Sequence, residues 1–216
     1  SSNYAVGMKT DGIDEWLRSF NTYRAHKQRQ KPAQRITTEA NVDPILFSTV
    51  HLSGDFIRVG YGDANICLLP LKIGGSKEVG EVLAGLSSTT GTVDGRRSGT
   101  LKEKHKFLFS ALYGWFFSDL GTPSWTLNED ILAIAPNEKI LEVYMSEIGL
   151  GKTWDAMEAF DPLSEALNKA DHLTFATSLK GFTETAFCPS EQWPGLFGNA
   201  LLGGSIEVKN ELAFGS

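Results

Sequence analysis

Residues 101–120, LKEKHKFLFSALYGWFFSDL, followed by Gly121, decide how the rest of the chain is read. From Phe107 onward, Phe107, Leu108, Leu112, Trp115, Phe116 and Leu120 recur mostly at spacings of three and four, and Phe109, Tyr113 and Phe117 widen the stripe until it runs nearly all round. That pattern predicts one helix from Leu101 to Leu120, buried at the centre of the fold. Its first turn is different. Lys102, Lys104, His105 and Lys106 put positive charge where a helix dipole is already positive, with Arg96 and Arg97 just upstream. Such a placement costs stability unless an anion is near, which makes it the best functional hint in the sequence.

Working upstream, Ser87 to Thr100, SSTTGTVDGRRSGT, reads as a polar loop of 14 residues that delivers Arg96 and Arg97 to the basic helix start. Ser76 to Leu86 reads as a helix capped by Ser76, with Val79, Val82, Leu83 and Leu86 inward. Residues 45–73 alternate as ILFSTVHL, FIRVGYG and NICLLPLKI, which predicts a three-stranded antiparallel meander with Pro70 at an edge or strand end. Asp11 to Tyr23 reads as an amphipathic helix carrying Ile13, Trp16, Leu17, Phe20 and Tyr23 on one stripe. The acid-free stretch RAHKQRQKPAQR, residues 24–35, has the composition of a linker. Residues 1–35 are therefore expected as an arm that docks on a neighbouring subunit through Ile13, Trp16, Leu17 and Phe20, or that folds back on its own core. Residues 36–216 are expected as a single globular domain.

Downstream of Gly121 the chain reads as mostly helical. Thr126 to Glu129 fits a capping box for a short helix ended by Pro136. Asn137 caps the next helix, which points Ile140, Leu141, Tyr144, Met145 and Ile148 inward until Gly149. Thr153, Asp161-Pro162 and Asp171 open further helical turns, the last with Leu173 and Phe175. Trp193-Pro194 starts a short helix through Leu202, and SIEVKNELAF is expected as a closing strand or hairpin. The fold class expected is α+β, mainly α: a helical domain around the buried helix 101–120, with a small three-stranded antiparallel sheet at 45–73 and an N-terminal helical arm.

A chain of 216 residues with 41% hydrophobic residues, 13 Phe and 5 Trp buries a sizeable core, which excludes disorder throughout. The longest apolar run, Phe107 to Phe117, is interrupted by Ser110 and Gly114 and falls short of the roughly 20 residues a membrane-spanning helix needs. No signal peptide is visible in the sequence, although a processed start would hide one. Cys67 and Cys188 lie far apart and are expected as reduced thiols, their pairing left open, in a cytoplasmic (intracellular) setting or within an assembled particle. The net charge of −6 conceals a polarity: residues 1–106 hold 15 Lys plus Arg against 11 Asp plus Glu, and residues 107–216 hold 5 against 15. Opposed halves of this kind suit a domain closed on itself, or subunits joined head to tail around an anionic partner.

Catalytic and metal spacings are missing. Gly149-Leu150-Gly151-Lys152-Thr153 resembles the end of a phosphate-binding loop but has Ser146 where the first glycine belongs, and a helix rather than a strand precedes it. Gly60 and Gly62 begin a dinucleotide fingerprint that Asn65 breaks. His26, His51, His105 and His172 stand apart from one another and from the cysteines, which makes zinc improbable. His51, Ser53 and Asp55 are close in sequence but read more simply as a turn than as a triad. No catalytic residue, cofactor or metal is assigned.

The reading this supports is a non-enzymatic, self-assembling nucleic-acid-binding structural protein of nucleocapsid or coat type, with RNA as a candidate ligand and no membrane partner. Arg96, Arg97, Lys102, Lys104 and Lys106 would grip phosphates, and Arg24, Lys27, Arg29, Lys31 and Arg35 would form a flexible second contact. The alternatives are a binding or regulatory domain for an acidic partner, marked by the N-terminal helix packed in cis, and an enzyme whose acid-base site is assembled from scattered residues.

Overall fold

The runs FIRVGYG and NICLLPLKI form strands, and they lie in the middle of a much larger sheet than their own meander. The computed structural model describes residues 2–10, 12–26, 37–39, 41–61, 63–151, 173–178 and 201–206. In chain order these give β1 (Ser2–Lys9), α1 (Ile13–His26), α2 (Pro44–His51), β2 (Asp55–Tyr61), β3 (Ala64–Pro70), α3 (Ser76–Leu86), β4 (Ser87–Val93) and β5 (Arg96–Leu101). There follow α4 (Leu108–Tyr113), β6 (Ser124–Asn128), β7 (Ile131–Ala135), α5 (Glu138–Gly149), β8 (Leu173–Ser178) and β9 (Leu201–Ile206). One antiparallel sheet takes all nine strands of the described residues, in the order β4-β5-β6-β7-β3-β2-β1-β8-β9.

Both faces of this sheet are buried near its middle. Cys67 and Leu69 of β3, Leu132 and Ile134 of β7, and Trp125 and Leu127 of β6 face a core completed by α1, α3 and α4. Ile66, Leu68, Ala133 and Ala135 face the opposite way, against Leu141, Ile140 and Tyr144 of α5. A strand covered on both sides loses its polar alternation, which is why ICLL and ILAIA read as continuous apolar runs. Small Ala133 and Ala135 let α5 approach closely.

The mainly helical expectation with a small three-stranded sheet is overturned by this sheet, and local chemistry explains each departure. Residues 101–120 are not one helix. Leu101 ends β5, Glu103–His105 make a 3-10 turn, α4 spans six residues, and Gly114–Phe117 form a second 3-10 turn. Gly114 adopts φ 83° and ψ −159°, a conformation that breaks a helix and that residues with a Cβ avoid. The expected burial holds for Leu108, Phe109, Tyr113, Phe116, Phe117 and Leu120, whereas Phe107 is 60% exposed. Aromatic packing replaces helical periodicity here: the rings of Phe109, Tyr113, Phe116 and Phe117 contact one another or Phe56 at centroid separations of 5.3–6.3 Å.

ILFSTVH, expected as a strand, is α2. Asp43 accepts hydrogen bonds from the amides of Ile45 and Leu46 at 2.8 and 2.9 Å, and Pro44 occupies the first turn. The polar stretch 87–100 is the hairpin β4–β5. Asp94 (φ 51°) and Gly95 (φ 74°) supply the two positive-φ positions of a two-residue turn between Val93 and Arg96. Thr126–Glu129, expected as a capping box, lies in the hairpin β6–β7, with Glu129 (φ 51°) in its turn. Leu173–Ser178 and Leu201–Ile206, expected within helices or just beyond one, are strands. Helices α3 and α5 span the residues expected, with Asn137 capping α5 by accepting from the Ile140 amide at 3.1 Å, but Ser76 does not cap α3: Gly75 holds the cap position, and the Ser76 hydroxyl donates to the Glu129 carbonyl instead. The turns expected at Thr153, Asp161-Pro162 and Trp193-Pro194, and Cys188, lie outside the described residues.

Of residues 1–35, expected as an arm that docks on a neighbouring subunit or folds back on its own core, β1 and α1 pack in cis. β1 lies between β2 and β8. On α1, Ile13 and Leu17 are 6% and 3% exposed in the core, and Trp16 stacks on Phe20 at 5.2 Å and tilts against Phe56 at 5.3 Å. No helix among the described residues is long and apolar enough to cross a membrane.

Candidate functional site

The basic stretch around residues 96–106 carries charges that were expected at a helix N-terminus. With no long helix there, each cation has a different neighbour. Lys102 donates from Nζ to the carbonyl of Gly85 at 2.9 Å, in the last turn of α3, where a helix presents unpaired carbonyls and partial negative charge. Lys104 pairs with Glu39 at 2.5 Å, and Lys106 pairs with Glu103 at 2.7 Å while its ammonium sits 5.3 Å from the Phe107 ring centroid. Arg96 is bound to Asp94 and donates from Nε to Asn128 at 2.7 Å. Arg97 is exposed, lies close over Gly80 of α3, and has no ion-pair partner among the described residues.

The electrostatic tension that pointed to an external anion is thus largely relieved within the chain. Sequence reasoning missed Glu39, Asp94 and Glu103 as the acids that do this. Asp94 was legible as the neighbour of Arg96 across a tight turn, whereas Glu39 lies 65 positions from Lys104 and no local pattern joins them. Of the second cation group, Arg24 lies on α1, and Lys27, Arg29, Lys31 and Arg35 lie outside the described residues.

Glu39 also approaches the buried His105, whose Nε2 is 3.1 Å from the carboxylate without an aligned hydrogen bond, a contact that is ionic only when the imidazole is protonated. Burial pushes the His105 pKa below its ordinary value, and the Glu39 charge opposes that shift. The hydrogen bond from Lys104 holds the Glu39 carboxyl below its ordinary value, and the bond from Lys106 does the same for Glu103. His105 is 4% exposed, so this cluster is a structural latch between residues 37–39 and the 3-10 turn, not an open reactive site.

The other candidates resolve into structure as well. Ser53 and Asp55 bond to each other at the entry to β2, while the His51 ring packs on Phe47 at 4.6 Å. Gly149 and Gly151 close α5, the latter at φ 66° with its amide donating to Ile148 at 2.9 Å. Cys67 is a free thiol, fully buried, and desolvation pushes its pKa up to about 12, which makes it unreactive. A cavity of about 40 Å³ lies between α2, α3 and α4, lined by apolar side chains such as Phe47, Val82, Leu86 and Leu112. A dry cavity that holds benzene measures roughly 150 Å³, so this one is a packing gap. No group of His, Cys, Asp and Glu suited to a metal occurs among the described residues.

What stands out instead is the rim of the sheet at β4. Its two ends are anchored, Ser87 at 8% and Val93 at 2% exposure, and every residue from Ser88 to Thr92 between them is exposed. Ser87 is held by a buried relay: Trp125 donates from Nε1 to Ser87 Oγ at 2.9 Å, and Ser87 Oγ donates to the Leu83 carbonyl at 2.7 Å. β4 pairs with β5 on one side, and among the described residues nothing pairs with its other side. The strand carries no Lys, no Pro and no charge, the devices by which edge strands are usually protected.

The chain matches no protein-family model, no curated protein and no solved structure.

Proposed function

We propose that this chain is a protein-interaction module that takes up an extended segment of a partner by strand addition along β4. The observation that carries the reading is the edge from Ser88 to Thr92, unpaired on its outer side among the described residues and exposed along its whole length, yet fixed at both ends by the buried Ser87 and Val93. A pre-formed edge offers main-chain donors and acceptors in a fixed row, so an incoming strand gains hydrogen bonds without ordering the receptor first. Thr-rich composition favours β-structure in the accepting strand. The cis packing of Ile13 and Leu17 supports a binding domain over an exchanged arm. A phosphate-gripping surface draws less support, because Arg96, Lys102, Lys104 and Lys106 already have protein partners.

The test is amide-resolved NMR on the isotope-labelled chain at micromolar concentration, titrated with the capped peptide ETVTVTE, with a proline-interrupted analogue and with a single-stranded RNA oligonucleotide. Strand addition predicts shifts confined to Thr89–Val93 and their β5 neighbours, with the first peptide alone. Shifts at residues 96–106 with RNA, and none at β4 with peptide, overturn the proposal in favour of nucleic-acid binding.

A further inference from the structure

We infer that the strand accepted by β4 is β4 of a second copy, paired antiparallel across a two-fold axis at Gly91. This inference rests on the strand-addition reading and names its partner. The regular part of the strand is short and bounded. The register with β5 shifts between Ser87 and Thr89, and the Asp94-Gly95 turn ends the strand after Val93, which leaves Thr89–Val93. Gly91 is the middle residue of those five. A two-fold there sets Thr90 against Thr92 of the second copy and Thr89 against its Val93, so that every pair flanking the axis is β-branched on both sides. Nothing lies within 4 Å of where a Cβ on Gly91 would stand, so the sheet face at the axis is open.

Charge favours the same partner. The segment is uncharged, so self-pairing brings no like charges opposite one another. Isologous pairing also consumes the same edge in both copies, and the assembly closes as a dimer instead of growing at β4. That closure accounts for an edge of high β-propensity that lacks protective Lys or Pro.

The experiment is sedimentation over a concentration series of the full chain, with two edge variants: Thr90→Lys with Thr92→Lys, and Thr90→Glu with Thr92→Glu. Both positions are exposed, so the fold tolerates the changes, and far-ultraviolet circular dichroism checks this. Wild type is expected to dimerise reversibly, and more tightly at higher salt, because screening weakens repulsion between chains of net charge −6. Each variant alone is expected to dimerise at least about tenfold more weakly, since Lys or Glu side chains then face their own kind across the axis. An equimolar mixture of the two variants is expected to restore the dimer as a heterodimer. A wild type that stays monomeric to about 1 mM overturns the inference, as does a dimer that both variants leave intact. If wild type is monomeric but ETVTVTE still shifts Thr89–Val93, the second copy is ruled out and strand addition stands. If neither association occurs, both fail.

Discussion

Tyr4 of β1 lies flat across Gly60 of β2, its register partner, and donates its hydroxyl hydrogen to Asn65 of β3, the residue paired with Gly60 on the other side. A Cβ on Gly60 would stand 2.2 Å from the Tyr4 ring. One side chain therefore spans three strands and fixes β1 in register at the centre of the sheet, and it does so because the middle residue has no side chain. Gly60→Ala is expected to displace the ring and lower unfolding stability by about 2 kcal/mol. Tyr4→Phe, which removes the hydroxyl alone, is expected to cost about 1 kcal/mol. Denaturant titrations of the two single variants and of Gly60→Ala with Tyr4→Ala provide the check. The double variant should lose less than the sum, and strict additivity would mean that the two residues do not act through each other.

Gly114 gives a prediction whose sign separates the fold from the helix that the sequence suggests. Within a helix, Gly114→Ala would stabilise by about 1 kcal/mol. At φ 83° and ψ −159°, with the Phe20 ring 3.1 Å from the position of the new Cβ, the same change is expected to destabilise by about 2 kcal/mol. In a domain of this size that lowers the melting temperature by about 6 °C. Differential scanning calorimetry decides the matter by the direction of the shift.

Acid is expected to weaken the fold in two windows. The His105 pKa is depressed in the folded chain, so the unfolded chain binds a proton more readily, and stability falls as pH drops below the ordinary value of 6.5 until the folded value is passed. Glu39 and Glu103 are also depressed, and their contribution, present above the ordinary carboxylate range, is lost as pH falls through their folded values. Melting temperatures from pH 7.5 downward should decline in the upper window for wild type and stay flatter there for His105→Gln. In Glu39→Gln the imidazole should titrate lower still, because the charge that favours its protonated form is gone. A wild-type imidazole midpoint above 6.5 would contradict the desolvation account.

Several elements could be read from local chemistry alone. Helix α5 followed from Asn137, its apolar spacing and Gly149; β2, β3 and α3 followed from their periodicities. Other signals were present and outweighed. Asp43-Pro44 opens a helix, but the β-branched and aromatic content of ILFSTVH favoured a strand. Asp94-Gly95 makes a hairpin turn, but the polarity of SSTTGTV and RRSGT favoured a loop, since a strand exposed on an edge lacks the apolar alternation by which strands are recognised. The candidate site was obscured for the same reason, as its openness to solvent is what makes β4 look like a loop.

The sequence by itself determined that this chain builds a large aromatic-rich core, that residues 107–120 lie mostly within it, and that basic charge collects just before them, because burial and charge follow from composition at each position. The tertiary structure alone decided the geometry of that core and the fate of that charge. The 101–120 stretch divides at Gly114, Glu39 neutralises Lys104 from 65 positions away, and β4 is left at the rim of a nine-stranded sheet. Each of these depends on contacts between residues distant in the chain, and local periodicity carries no information about which distant partner a side chain or a strand edge will meet.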